Sequence, residues 1–176
     1  MVFFLGVCIG WAKSAKAEAA ASDNGAGNGS IYIGLGTGAA IPGSNWSSDY
    51  YVGGGASGFL GYQLDKNLSG QLAGEEWFFT GGGNTLLNFR VLAEAKYAFD
   101  SQGWQPYVLA GAGPVFQSLA PTGDSTTNFD ALAGVGVQFD LAPRTHFFIE
   151  AKYNLILSQT SSFGDLPLGA GIWVGL

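Results

Sequence analysis

From residue 29 onward, polar and apolar positions alternate along the chain. In "NFRVLAEAKYAF" (88–99), Arg90, Glu94 and Lys96 share one parity while Phe89, Val91, Ala93, Ala95 and Tyr97 fill the other. "THFFIEAKYNLIL" (145–157) repeats the pattern, with Glu150, Lys152 and Asn154 set against Phe147, Ile149, Ala151, Tyr153 and Leu155. Asp130, Gly134, Gly136, Gln138 and Asp140 alternate with Phe129, Ala131, Ala133, Val135, Val137 and Phe139 in the same way. Near the end, Pro167, Gly169, Gly171, Trp173 and Gly175 oppose Leu166, Leu168, Ala170, Ile172, Val174 and Leu176. A period of two belongs to strands with two unlike faces. Eight such segments are predicted, at residues 30–41, 53–64, 68–79, 85–99, 105–118, 127–140, 145–157 and 163–176. Each reaches the roughly 9–11 residues that a tilted membrane-spanning strand requires.

The connections differ in kind. "DKN" (65–67), "DSQGW" (100–104) and "LAPR" (141–144) are short and rich in turn-forming residues. Residues 42–52 and 119–128 read as longer loops, with 81–84 and 158–162 intermediate. Short turns at one end and longer loops at the other suit an outer-membrane barrel.

Composition strengthens that picture. Only 11% of the 176 residues are charged and 29 are glycine, against averages of about 25% charged and about 7% glycine. A surface so poor in charge is not built for water alone. The net charge of −6 opposes a nucleic-acid partner, and no polybasic patch is available for anionic lipid. Cys8 is the only cysteine, so no internal disulfide can form. Val7 stands before it where a lipoprotein cleavage box wants a smaller residue.

Residues 2–11 form an apolar run too short to span a bilayer as a helix. The small-residue stretch "AKSAKAEAAAS" follows, with Ala-x-Ala patterns. The expectation is a secretory signal over 1–21, cut near Ala19 to Ala21, ahead of a barrel over 22–176. No Lys or Arg precedes the apolar run, a departure from the usual signal.

Alternation leaves open which face is inside. The polar faces carry mainly glycine and a few charges of both signs, which suits a narrow lumen better than a solvated surface. Aromatic residues gather near the segment ends, as membrane girdles do. Tyr62, Tyr97, Phe99, Trp104, Tyr107, Phe139, Phe147 and Trp173 fall toward one rim. Trp46, Tyr50, Tyr51, Trp77, Phe78, Phe79, Phe116, Phe129 and Phe163 fall toward the other. A one-residue slip would turn Arg90, Lys96 and Lys152 toward lipid together. At about 2–4 kcal/mol for each basic group at mid-depth, that slip costs on the order of 6–12 kcal/mol. The charges therefore face inward.

Inward charges must pair. A hairpin through 80–84 that sets Glu75 opposite Arg90 brings Gln71 to Glu94 and Ser69 to Lys96. The expected lumenal network is Glu75, Arg90, Glu94, Lys96, Glu150 and Lys152. The outer loops, with Trp46, Asp49, Tyr50, Tyr51 and Asp124, are the expected contact surface.

"QPYVLAGAGPVF" (105–116), "DALAGVGVQFDLAPRTHFFIEAKYNLIL" (130–157) and the ending "PLGAGIWVGL" resemble the last four strands of small eight-stranded outer-membrane proteins. That group includes the opacity-type proteins and the OmpA-like membrane domain. The resemblance covers roughly residues 29–176 and implies an all-β, eight-stranded, antiparallel up-and-down transmembrane β-barrel in the bacterial outer membrane. It also implies lipid and lipopolysaccharide as surroundings, the barrel-insertion machinery as a partner, and a host or surface ligand at the loops. Gly171, Val174 and Leu176 match the family's C-terminal insertion signal, although the family usually ends in Phe.

Some barrels of this size modify lipid A, but catalysis is not expected. His146 is the only histidine, and Ser158 stands at the other end of its strand, roughly 40 Å away at about 3.3 Å per residue. No spacing suits zinc, and "GGGAS" and "GGGN" lack the lysine and helix of a phosphate loop, so no cofactor is expected. A structural or surface-interaction protein leads the readings. A narrow pore for small or apolar solutes and a soluble lipocalin-type barrel are the alternatives.

Overall fold

Every segment with the two-residue period is a strand in the computed structural model, which describes residues 29–43, 49–100, 103–158 and 162–176. The strands are β1 (Ile31–Pro42), β2 (Gly53–Gln63), β3 (Leu68–Gly81), β4 (Asn84–Ala98), β5 (Gln105–Ala120), β6 (Asp124–Ala142), β7 (Thr145–Leu157) and β8 (Ser162–Gly175). Each pairs antiparallel with the next and β8 returns to β1, closing the barrel. Closure leaves no sheet edge with unpaired backbone groups. The predicted signal segment and Trp46 lie outside the described residues.

One parity of each strand points outward. Leu35, Leu60, Leu72, Phe89, Val135, Ile149 and Ile172 are exposed on the wall, while Glu75, Arg90, Asp130, Asn154 and Asp165 are buried in the lumen. The outward face is greasier than the inside. Glu76 is the exception: it lies exposed on the wall, paired in register with Ala56 and Phe89.

The aromatic girdles are thinner than position along the strand suggested. Tyr62, Tyr97, Phe99 and Trp104 are exposed on the wall near one end, and Phe78, Phe116 and Phe129 near the other. Trp77, Phe79 and Tyr107, expected at the rims, are instead buried in the lumen, where Trp173 also lies, as its place on the polar parity of the last segment implied. Their parity is that of the lumenal side chains, and parity overrides position.

The long loop expected over 119–128 is also absent. Strand pairing continues out to Leu119 opposite Asp124, leaving a tight turn at Pro121–Gly123. "DSTTN" extends readily because Thr favours strand backbone. At β3–β4 the turn is Gly82–Gly83, with φ of 57° and 84°, the two left-handed positions of a two-residue hairpin turn.

Glycines admit the lumenal rings. A Cβ at Gly61 would stand 2.0 Å from the Tyr32 ring, and one at Gly136 would stand 2.3 Å from the Tyr107 ring. Each is the direct cross-strand partner of the ring it meets. An aromatic side chain thus lies across the bare backbone opposite, covering a site that offers no side chain of its own.

Proline interrupts the wall twice. Pairing lapses where Val91 and Leu92 face Gly113 and Pro114, and again where Lys152 and Tyr153 face Leu166 and Pro167. Proline has no N–H to give a ladder.

Candidate functional site

The alternation that places β3, β4, β6, β7 and β8 in register also delivers their charges to one interior. Glu75 and Arg90 are Cα partners, as are Gln71 and Glu94, and Ser69 and Lys96. The lumenal ion pairs, however, do not follow the ladder: all but Lys152–Glu150, within β7, cross the lumen.

Two stations result. In the first, Arg90 meets Asp130 at 2.7 Å through Nε and Asp165 through Nη2, with all three side chains fully buried. The Asp130 approach is a charge contact without hydrogen-bond alignment, since Arg90 Nε and both Asp130 oxygens lack aligned partners. Asn154 donates to the other Asp165 oxygen at 2.9 Å. In the second station, Lys152 Nζ gathers Glu75 at 2.6 Å, Glu94 at 3.1 Å and Glu150 at 3.3 Å. Trp77 donates its indole N–H to Glu75 at 3.0 Å, and Tyr107 its hydroxyl to Glu150 at 3.0 Å. Gln71 donates to Glu94 and accepts from Tyr32 at 3.0 Å.

Lys96 stands apart from both. Its ammonium lies 5.2 Å from the Tyr32 ring centre, 5.1 Å from Tyr107 and 5.2 Å from Trp173, within the range of cation–π attraction. Its hydrogen bond goes to Gln138, at 3.4 Å. Three rings stand where a carboxylate was expected.

The six residues expected in the lumen are all buried or nearly so, and five of them share ion pairs. Asp130 and Asp165 complete the arrangement; Asp130 was read on the polar face of its strand, but neither was expected in the network. Their parity was a usable signal, because Asp130 shares that of Gln138 and Asp165 that of Trp173. Altogether three basic side chains, Arg90, Lys96 and Lys152, face five carboxyl groups. The space among Gly36, Ser57, Glu75, Trp77, Phe148 and Lys152 is about 10 Å³, room for about one water.

Apolar clusters flank the charges. Tyr32, Leu92, Tyr107, Leu109, Phe148 and Trp173 pack on the short-turn side; Trp77, Phe79, Leu86, Val115 and Ile156 pack on the other. His146 stacks on Trp173 at 3.8 Å between ring centres and contacts Asp140 at 2.6 Å through Nδ1. Among the described residues no cluster of His, Cys, Asp and Glu is arranged to hold a metal ion.

The loop residues separate. Asp49 and Tyr51 lie against the end of β3: the Tyr51 N–H donates to Thr80 at 2.9 Å, and a Cβ on Gly81 would strike the Asp49 carbonyl. Tyr51 is widely exposed and Tyr50 half-buried. Asp124 begins β6 rather than lying in a loop. Gly171 faces inward beneath Phe148, while Val174 and Leu176 face outward at the end of β8.

A closed antiparallel barrel with hydrocarbon-compatible walls and paired charges inside is a transmembrane barrel of the outer-membrane class. The chain belongs to the outer membrane protein beta-barrel domain family, whose model matches residues 12–172. Against curated protein sequences it has no significant match. The crystal structure of Neisserial surface protein A is similar with a TM-score of 0.67 and 18% identity, covering 82% of this chain and 96% of that one. The N-terminal barrel domain of Pseudomonas aeruginosa OprF gives 0.56 and 16%, covering 85% and 100%. Yersinia pestis Ail, in complex with the heparin analogue sucrose octasulfate, gives 0.52 and 18%, covering 83% and 99%.

Proposed function

We propose that this outer-membrane barrel is non-enzymatic and plugged, and that it acts in envelope structure and surface contact. One observation carries the reading: the lumen is crossed by two buried ion-pair stations between apolar clusters, with about 10 Å³ free beside Lys152 at the second station. Eight strands enclose an interior that side chains can fill. Contact with other molecules then falls to the outer ends, where Tyr51 is exposed and Asp49 and Asp124 supply charge.

The sulfated ligand of the Ail structure is not carried over. Asp49 and Asp124 are acidic, and no Lys or Arg lies in the outer connections at 43–52, 82–83, 121–123 or 158–161. Export would use residues 1–21 as a cleaved signal, and Gly171, Val174 and Leu176 would present the last strand to the insertion machinery. Lipopolysaccharide would surround the outer half of the wall.

Planar-bilayer recording of the purified barrel tests the plug. The expected trace has no stable unitary steps; reproducible steps of uniform size would replace this reading with a narrow pore.

A further inference from the structure

The outer mouth of the lumen holds a cavity of about 260 Å³ that the plug does not occupy. Tyr50, Leu86, Leu119 and Phe163 supply its apolar lining, and Gln117, Asp124 and Thr126 its polar edge. The floor is rigidly supported. Leu86 belongs to the buried cluster with Phe79 and Val115, and Tyr50, Leu119 and Phe163 pack against that cluster. The edge is equally fixed: Gln117 donates to Asn88 at 3.0 Å and accepts from Asn128 at 2.8 Å.

Charge decides what the cavity suits. Asp124 stands opposite Leu119 in the ladder, on the lumen-facing parity, and its carboxylate makes no ion pair among the described residues. The basic residues of the barrel lie elsewhere, Arg90, Lys96 and Lys152 in the lumen and Lys66 and Arg144 in the turns at the opposite end. Among the described residues no cation competes for Asp124 at this mouth.

We infer that the mouth binds a small amphipathic organic cation, an alkyl- or arylalkyl-ammonium. Its apolar part fills the space above Leu86 and Phe163, and its ammonium meets Asp124. A cavity of about 260 Å³ has room for a ligand the size of phenethylammonium. Such a site goes beyond the contact role proposed above. Binding reports on it and conductance does not, so each can fail without the other.

The test uses the full barrel in phosphatidylcholine nanodiscs, with empty nanodiscs as the blank. Titration calorimetry compares phenethylammonium, phenethyl alcohol and phenylacetate. Saturable binding is expected in that order, with about a two- to five-fold preference for the ammonium over the alcohol, the range of an exposed ion pair. Asp124→Asn should erase the preference without changing thermal stability. Leu119→Trp should fill the cavity and remove binding of all three; if that variant fails to fold, Thr126→Trp at the edge serves instead. No saturable binding, a preference that survives Asp124→Asn, or binding that survives the filling variant would each overturn the assignment.

Discussion

Glu75 and Arg90 face each other directly across the β3–β4 ladder, yet each takes its ion-pair partner from another strand. Arg90 reaches Asp130 on β6 and Asp165 on β8, while Glu75 reaches Lys152 on β7. Strands distant in sequence are thereby tied through the middle of the barrel. Removing one charge strands several others.

Arg90→Ala leaves Asp130 and Asp165 without their base, and Lys152→Met leaves Glu75, Glu94 and Glu150. Breaking a buried pair costs about 3–5 kcal/mol. Both variants should melt earlier in detergent and lose heat-modifiable gel mobility at lower temperature, with Lys152→Met the more severe. Melting profiles that match the unaltered barrel would remove the ion pairs from any account of stability.

Glycine substitutions should split by face. Gly61→Ala drives a methyl into the Tyr32 ring and Gly136→Ala into the Tyr107 ring, an overpacking worth about 1–3 kcal/mol. Gly74 faces outward with nothing within 4 Å of a new Cβ, so Gly74→Ala should be neutral or stabilising. Equal losses at all three positions in a chemical-denaturation series would contradict the ring-over-glycine packing.

Spin labels read the wall directly. Labels at Val135 and Ile149, which are 59% and 48% exposed, should be relaxed strongly by lipid-dissolved oxygen. A label at Asn154, fully buried in the lumen, should not. The reverse order of accessibilities would invert the barrel.

The turn outside the wall gives a pH prediction. Lys66 Nζ donates to Asp100 at 3.0 Å and Asn67 donates to the other Asp100 oxygen at 3.0 Å. The Lys66 hydrogen bond is the leading cause holding the Asp100 carboxyl below its ordinary range, with Asn67 next; the same hydrogen bond raises the Lys66 ammonium above its own. A lowered carboxyl pKa contributes stability above the unfolded value, about 3.9, and loses it as pH falls through the folded value. The Lys66 contribution is present below about pH 10.4 and fades as pH rises past the raised value. Carbon-detected NMR titration should find Asp100 with a lowered midpoint that moves upward in Lys66→Met; a midpoint indifferent to that substitution would dismiss the pair.

Much of this was legible because a strand's parity is a local property. Arg90, Lys96 and Lys152 could be turned inward from spacing alone, since the cost of facing them to lipid is large. The β3–β4 register was reached by setting Glu75 opposite Arg90 across a loop at 80–84, and the ladder pairs them so. The partner of Arg90 was not legible: Asp130 and Asp165 reach it across the lumen, and barrel closure rather than any ladder decides who meets there. Trp77 and Tyr107 were misplaced because nearness to a strand end was weighed above parity. The loop over 119–128 was misread because Ser and Thr serve turns and strands alike. Glu76, on the wall in register with Phe89, follows neither rule, and no described contact accounts for it.

The lumenal inventory of three bases against five acids has an electrical consequence. Were a substitution such as Arg90→Ala to loosen the core enough to pass ions, the permeant species would be positive. In a potassium chloride gradient the reversal potential would then shift toward the potassium equilibrium value rather than that of chloride.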